Sequence, residues 1–411
     1  MKSRYAVNAD GKKFGPYSLY FEDGKPQETG NYKDDQLDGP QQAFHPNGNV
    51  KLRREFRAGR LQGSLVELDE RGNRLRMAEY RLGQLNGTYR EFPAGSSVAS
   101  IERLYVDGAM VYPRSQSLIA AALAKIRAVT VETRKPGPDD KPVPKHPGGN
   151  VSQPDRENAV RLLMEYRNLC YVPHEGLQLD PYYNAETEAA VAILDAIGKL
   201  SHSPENPGWP EEDYKIAKAG CGHSNLYGGG GGCVASIGAY MNDSDPGNIT
   251  VLGHRRWCLN PAMGRVGIAA SAYHSALWSF DGSRKEIPDW DFVACPAPGF
   301  FPVSHFNANF AWSVTLNETK YHKPSKDSLK VSIRPAAVLV SQGQIKPTGE
   351  PMKLNYFNVD LARFGIANCI VFRPEGLTMA PGGVYVVDID GLMNKQDKPA
   401  KLRYVVEFWR L

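Results

Sequence analysis

A 24-residue spacing between glycines limits the first quarter of this chain more than any other feature. Gly15, Gly39, Gly63 and Gly87 recur at that interval, Gly24, Gly48 and Gly72 repeat it, and Tyr32, Phe56 and Tyr80 carry it on aromatic positions. A fixed period of this length means one supersecondary unit copied along the chain. Each unit reads as a short aromatic strand, a turn carrying Asp-Gly, Asn-Gly or Arg-Gly, and a second strand. Asp23-Gly24 and Asn47-Gly48 suit tight hairpins, because glycine enters positive φ without a Cβ clash. A lone hairpin cannot bury its apolar face, so neighbouring units must share a core.

With these residues, the stretch from Gly15 to about Tyr112 resembles MORN-type repeats, in the variant found in bacterial proteins. The resemblance implies an elongated antiparallel sheet over residues 1–116, serving as a spacer or as a contact surface for a protein or a membrane. Its charges are mixed rather than clustered, which favours a scaffold without a ligand of its own. Residues 117–131 predict a helix with Leu118, Ala122, Ile126 and Val129 near one face, placed to cap the open end of the sheet. Residues 132–154 are rich in proline, lysine and glycine and predict an extended, semi-rigid linker.

At 411 residues the chain predicts two or three domains, and 41% hydrophobic with 23% charged residues lets each bury a core. A net charge of +4 is too weak and too spread to predict nucleic-acid binding. No apolar run reaches the length of a membrane span. Met1-Lys2-Ser3-Arg4-Tyr5 has no apolar core behind it. The expectation is either a cytoplasmic protein or an exported one whose leader is absent from this sequence. Six cysteines permit bridges without demanding them, with Cys221 and Cys233 close enough in sequence to pair. No CxxC spacing supports a zinc ribbon.

Residues 155–282 read as an α+β domain. Asp155 predicts an N-cap, with Ala159, Leu162, Leu163, Tyr166 and Leu169 following at helical spacing. A second helix is predicted over 182–199 and a short amphipathic segment over 235–241. Strands are predicted over 266–270 and 276–280. Between them lie Leu200-Ser201-His202-Ser203-Pro204, Ser224-Asn225-Leu226, five glycines at 228–232 and Gly253-His254-Arg255-Arg256-Trp257 followed by Asn260-Pro261. The glycines lack the Lys and Ser/Thr order of a phosphate cradle and predict a mobile loop beside the site.

Together with Tyr166-Arg167, Leu177-Gln178-Leu179-Asp180 and Val266-Gly267-Ile268, these motifs stand in the order found in CAP (SCP-like) domains. The Gly-His-Arg-Arg-Trp form is similar to the bacterial branch. The resemblance covers about residues 153–280 and implies an α-β-α sandwich with a cleft holding two histidines and two acidic residues. His202 and His254 match the histidines. The acidic positions depart from the pattern: Ser224 stands at the first and Ser236, through a gapped alignment, at the second. The implied ligand-binding cleft is therefore His202, Ser224, Ser236 and His254.

Zinc is the one cofactor in question, with His202 and His254 as its candidate ligands. Two imidazoles and two hydroxyls make a poor set, so the expectation is no cofactor. The alternative for both histidines is a hydrogen-bonded role holding loops together. Arg255, Arg256 and Trp257 read as packing and ion-pair residues. No Gly-x-Ser-x-Gly or HExxH motif occurs, and a Ser224–His pair has no orienting carboxylate visible in the sequence.

Residues 283–411 predict a small β-sandwich from strands near 311–316, 329–333, 369–372, 383–389 and 402–409. They are similar to the immunoglobulin-like appendage that follows some bacterial CAP domains, with Cys295 and Cys369 as a candidate bridge. The fold class expected is thus multidomain: an antiparallel repeat sheet, a central α+β CAP-like domain and a C-terminal all-β sandwich. The function expected is a non-catalytic binding protein of the exterior or cell envelope, its cleft taking a lipid, a glycan or a surface partner. The alternatives are a metal-dependent hydrolase using the same cleft and a structural envelope protein.

Overall fold

The glycine period becomes a continuous sheet. The computed structural model describes residues 2–138, 140, 143 and 151–411 (the side chains of residues 2 and 3 excepted). The predicted linker falls partly, at 139, 141–142 and 144–150, outside the described residues. Twelve antiparallel strands run from Lys2–Val7 to Ala109–Tyr112 in nearly sequential order. Gly24, Gly48 and Gly72 turn the hairpins at φ of 86°, 90° and 86°. These join Lys13–Tyr20 to Pro26–Lys33, Gly39–Phe44 to Val50–Arg57, and Gly63–Leu68 to Arg74–Arg81. Tyr17, Gln41 and Leu65 occupy the same place in successive units, and all three are buried. The Gln41 amide donates to the Tyr17 hydroxyl at 2.7 Å, so adjacent units are tied by polar contacts as well as by packing.

The end of this sheet meets the C-terminal strands, not the helix expected there. The Tyr112 ring stacks on Phe300 at 4.2 Å and its hydroxyl donates to Glu407. The Asn86 amide donates to the Val340 carbonyl at 2.9 Å. Helix α1 (Gln116–Ala128), capped by the Ser115 hydroxyl, instead turns Ile119, Leu123 and Ile126 into the core it shares with helix α2 (Gln153–Leu169). The apolar face is one residue off the predicted one: Val129 is exposed, and Leu118 only partly covered. Full burial of each of the three side chains stabilises the contact by about 1.5–3 kcal/mol.

The central region places helices on both faces of a four-stranded sheet. Its strands are Gln178–Leu179, Arg265–Ala270, Ser275–Trp278 and Ser224–Tyr227, in that spatial order. Period-two alternation sorts the two faces. Ala269 and Ala276 point toward helices α3 (Pro181–Ile197) and α4 (Glu211–Gly222). Val266, Ile268 and Leu277 point toward α2 and helix α5 (Gly232–Asn242). Ser152, not Asp155, caps α2. Asp180 caps α3, accepting from the Tyr182 amide at 2.9 Å, with Pro181 in the first turn.

The C-terminal region forms a four-stranded sheet and a five-stranded sheet. Trp312 and Phe372 from the first meet Phe408 from the second, with Phe306 inserted among them. All six cysteines are free and buried. Cys295 and Cys369 lie on strands separated by Trp312–Leu316, roughly 9–10 Å apart at normal strand spacing and beyond the reach of a bridge. Cys221 and Cys233 sit in cores on opposite faces of the central sheet, which forbids their pairing. No helix among the described residues is long and apolar enough to cross a membrane.

Three buried guanidiniums brace this arrangement, Arg167 within the central region and Arg255 and Arg256 across its border with the C-terminal region. Arg167 donates to the carbonyls of Pro173, Cys258, Asn260 and Met263. Arg255, on helix α6 (Gly253–Cys258), donates to Met241 and Asn242 within the central region and to Ala311 of the C-terminal region at 2.6 Å. Arg256 reaches Ile366 and Ala362 and pairs with Asp360 at 2.5 Å. Replacing Arg256 by Ala strands these carbonyls and the Asp360 carboxylate. The expected cost is about 3–5 kcal/mol, read from the urea midpoint; a loss below about 1 kcal/mol would contradict this account.

Glu186 on α3 gives a second prediction. Burial, then the charge of Asp180, pushes its carboxyl up to about 7. One carboxyl oxygen is buried without a hydrogen-bond partner among the described residues. The folded chain therefore favours the protonated form. Stability from this group is full below the ordinary glutamate range, falls as pH rises through about 7, and is level above. Glu186→Gln should be more stable than the parent at pH 8 and lose that advantage at acid pH, as measured by paired denaturation curves.

Candidate functional site

His202 and His254 line one cavity of about 470 Å³. His202 lies on the loop between α3 and α4, and His254 in the first turn of α6. Ser224 and Asn225, at the start of the strand Ser224–Tyr227, line the same cavity. Trp257 and Phe280 stack at 4.0 Å on another side. The C-terminal region closes the cavity with Arg363 and Phe364. Gly253 lets Phe364 approach, since a Cβ there would lie 2.9 Å from its ring.

Both histidines are fixed through Nδ1. His202 Nδ1 donates to the Cys221 carbonyl at 2.8 Å, because a carbonyl can only accept. His254 Nδ1 donates to Asp243 at 2.7 Å. Asp243 caps the end of α5 in a left-handed conformation, φ 48°, and also accepts from the Arg255 amide at 3.2 Å. Among the described residues neither Nε2 has a hydrogen-bond partner. Asp243 is the orienting carboxylate that the sequence did not disclose. No motif or spacing in the sequence marks it.

Ser224 is only 2% exposed, and its hydroxyl has no hydrogen-bond partner among the described residues. A buried hydroxyl left this way costs free energy unless something in the cavity pairs with it. Ser236 stands elsewhere. It is fully buried in α5, donates to the Cys233 carbonyl at 2.8 Å, and does not line the cavity. Trp257, expected to be a packing residue, does line it.

The glycines at 228–232 do not line the cavity either. They connect the strand Ser224–Tyr227 to α5, and the Asp155 carboxylate accepts from the Cys233 amide at 2.8 Å. An acid already holding that helix N-terminus repels a phosphate there. Thiol chemistry is equally disfavoured, since burial pushes Cys221 and Cys258 up to about 12.

A protein zinc site takes three or four ligands. The cavity offers two imidazoles beside hydroxyl and amide groups, and no described group of three or more His, Cys, Asp or Glu stands together. Asp243→Ala, which leaves His254 Nδ1 and the Arg255 amide unpaired, should cost about 1–3 kcal/mol by chemical denaturation. A change within error would remove Asp243 from its orienting role.

No family model matches the chain, and no curated protein matches it. Among solved structures, the GtfA/B complex bound to UDP and GlcNAc is 11% identical over 28% of this chain and 25% of that chain, with a TM-score of 0.18. Accessory secretory proteins 1, 2 and 3 of Streptococcus pneumoniae are 9% identical over 53% of this chain and 39% of that chain, with a TM-score of 0.17. The chain thus spans well under half the length of either, and superpositions at these scores carry no argument about its fold or activity.

Proposed function

We propose that the chain is a non-catalytic binding protein whose central region, residues 155–282, is a CAP-type domain. In this reading MORN-type repeats lie before it and an immunoglobulin-like sandwich after it. The observation that carries the reading is the cavity shared by His202 and His254, with the unpaired Ser224 hydroxyl buried in its wall. Helices on both faces of the central sheet support the same assignment. The aromatic wall of Trp257 and Phe280 suits an apolar ligand face. Ser224, Asn225 and the two Nε2 atoms suit hydroxyl groups along its edge. A glycan and a sterol-like lipid share that chemistry. In the same reading the protein works in the cell envelope or outside the cell.

One observation favours a second reading. Asp243 holds His254 as an acid holds the base of a hydrolytic triad, with Ser224 lining the same cavity. Against it, Ser224 makes no hydrogen bond to His254.

Two probes test the proposal on the full chain: sterol-containing phosphatidylcholine vesicles and soluble muropeptide fragments. One of them should bind saturably, and Trp257→Ala and Ser224→Ala should each weaken it about five-fold or more. Binding of neither probe would turn the assignment toward a structural envelope protein. Stoichiometric zinc lost on replacing His202 and His254 would turn it toward a metal-dependent hydrolase, and labelling of Ser224 by a fluorophosphonate toward the serine-based reading.

A further inference from the structure

A second cavity, of about 410 Å³, opens where the repeat sheet, the end of α2 and the C-terminal region meet. None of its lining residues belongs to the histidine cleft. Its volume falls within the usual small-molecule range of roughly 300–1,000 Å³. The wall is built of flat, stiff faces: Pro173, Pro261 and Pro298 with the rings of Tyr171, Trp290 and Phe292. Several of these are held in place. The Tyr171 hydroxyl donates to the Pro298 carbonyl at 3.0 Å, and the Arg114 guanidinium lies 4.6 Å from its ring. The Trp290 carbonyl accepts from the Asn317 amide at 2.7 Å.

Charge at the cavity is largely paired, with one negative charge left over. Asp289 and Asp291 both belong to its lining, and Lys320 bridges them at 2.6 and 2.7 Å. Arg403 lies 3.5 Å from Asp388. The wall therefore disfavours an anionic ligand. One polar group stands unpaired. Tyr404 lines the cavity, is 6% exposed, and its hydroxyl is buried with no hydrogen-bond partner among the described residues. Burial pushes the phenol up, so it stays neutral and can both donate and accept.

We infer that this cavity is a binding site for a neutral, planar aromatic molecule carrying one hydroxyl or carbonyl group, which pairs with the Tyr404 hydroxyl. Rings and proline faces match a flat ligand. A flexible acyl chain would meet few of the mobile aliphatic side chains that conform to it, with Met110 and Val293 the main ones present.

The test is calorimetric titration of the full chain with 2-naphthol, with 1-decanol as the neutral chain-like comparison. Saturable one-to-one binding of 2-naphthol is expected. Tyr404→Phe should weaken it about ten-fold, the scale of one lost hydrogen bond. Met110→Trp should abolish it, because Met110 is 49% exposed at the rim and a larger ring there fills the space without disturbing a core. A crystal soaked with 2-naphthol should show its hydroxyl at Tyr404, a readout that stands even if a variant folds poorly. Absence of saturable binding overturns the inference, as does a preference for 1-decanol or binding that Tyr404→Phe leaves within two-fold. Binding that falls with Trp257→Ala would assign the probe to the histidine cleft and overturn it too, without touching the proposal made for that cleft.

Discussion

Three arginine side chains, each at most 1% exposed, hold the middle of this protein together. A buried carbonyl without a donor costs free energy, and irregular backbone between short elements leaves many such carbonyls. The five N–H groups of a guanidinium, spread in a planar fork, can serve several at once. Arg167, Arg255 and Arg256 do so around the turn that follows α6 and along the border with the C-terminal sheets. Only Arg256 has a carboxylate ion pair among the described residues. For the other two the compensation is dipolar. Arg167 shows the strain of that arrangement, since burial pulls it down to about 9.

The same wiring sets the histidine cleft. Arg255 fixes the end of α5 through Met241 and Asn242, and the next residue is Asp243, which orients His254. Arg256 fixes the segment at 360–366 through Asp360, Ala362 and Ile366, and that segment carries Phe364 into the cleft wall. Two adjacent side chains on one short helix thus each fix a lining residue of the cavity, His254 and Phe364. The exposed part of the site, His202, depends instead on a single bond to the end of α4.

Much of this order was readable beforehand, for physical reasons that differ from part to part. The repeat sheet announced itself because a turn at positive φ needs glycine and a copied unit must repeat that need. The C-terminal strands around Trp312, Cys369, Val386 and Val405 were visible as apolar runs of strand length. Strands such as Leu354–Asp360 and Gln344–Pro347, polar on their outer faces, were not. Helix α4 was missed although Glu211, Glu212 and Asp213 mark its first turn, because Pro210 before it and Gly220 and Gly222 within it read as breakers. The two histidines and Ser224 could be gathered into one site from motif order. Ser236 could not be placed correctly, because the side a helical residue faces is decided by packing. Asp243 and Phe364 left no pattern at all: one acts through a cap geometry, the other through a contact 111 residues away in the chain from Gly253.

The closing wall of the cleft belongs to a different part of the chain from its histidines. Phe364 and Arg363 arrive with the C-terminal sheets, whereas Ser224 and His254 arrive with the central one. Occupancy and inter-regional docking are therefore thermodynamically linked: whatever fills the space gains contacts on both bodies, and prying them apart must first expel it. Separating those two regions is then opposed by the guest as well as by Arg255 and Arg256, so a filled cleft would behave as a mechanical fastener between the central and C-terminal parts of the molecule.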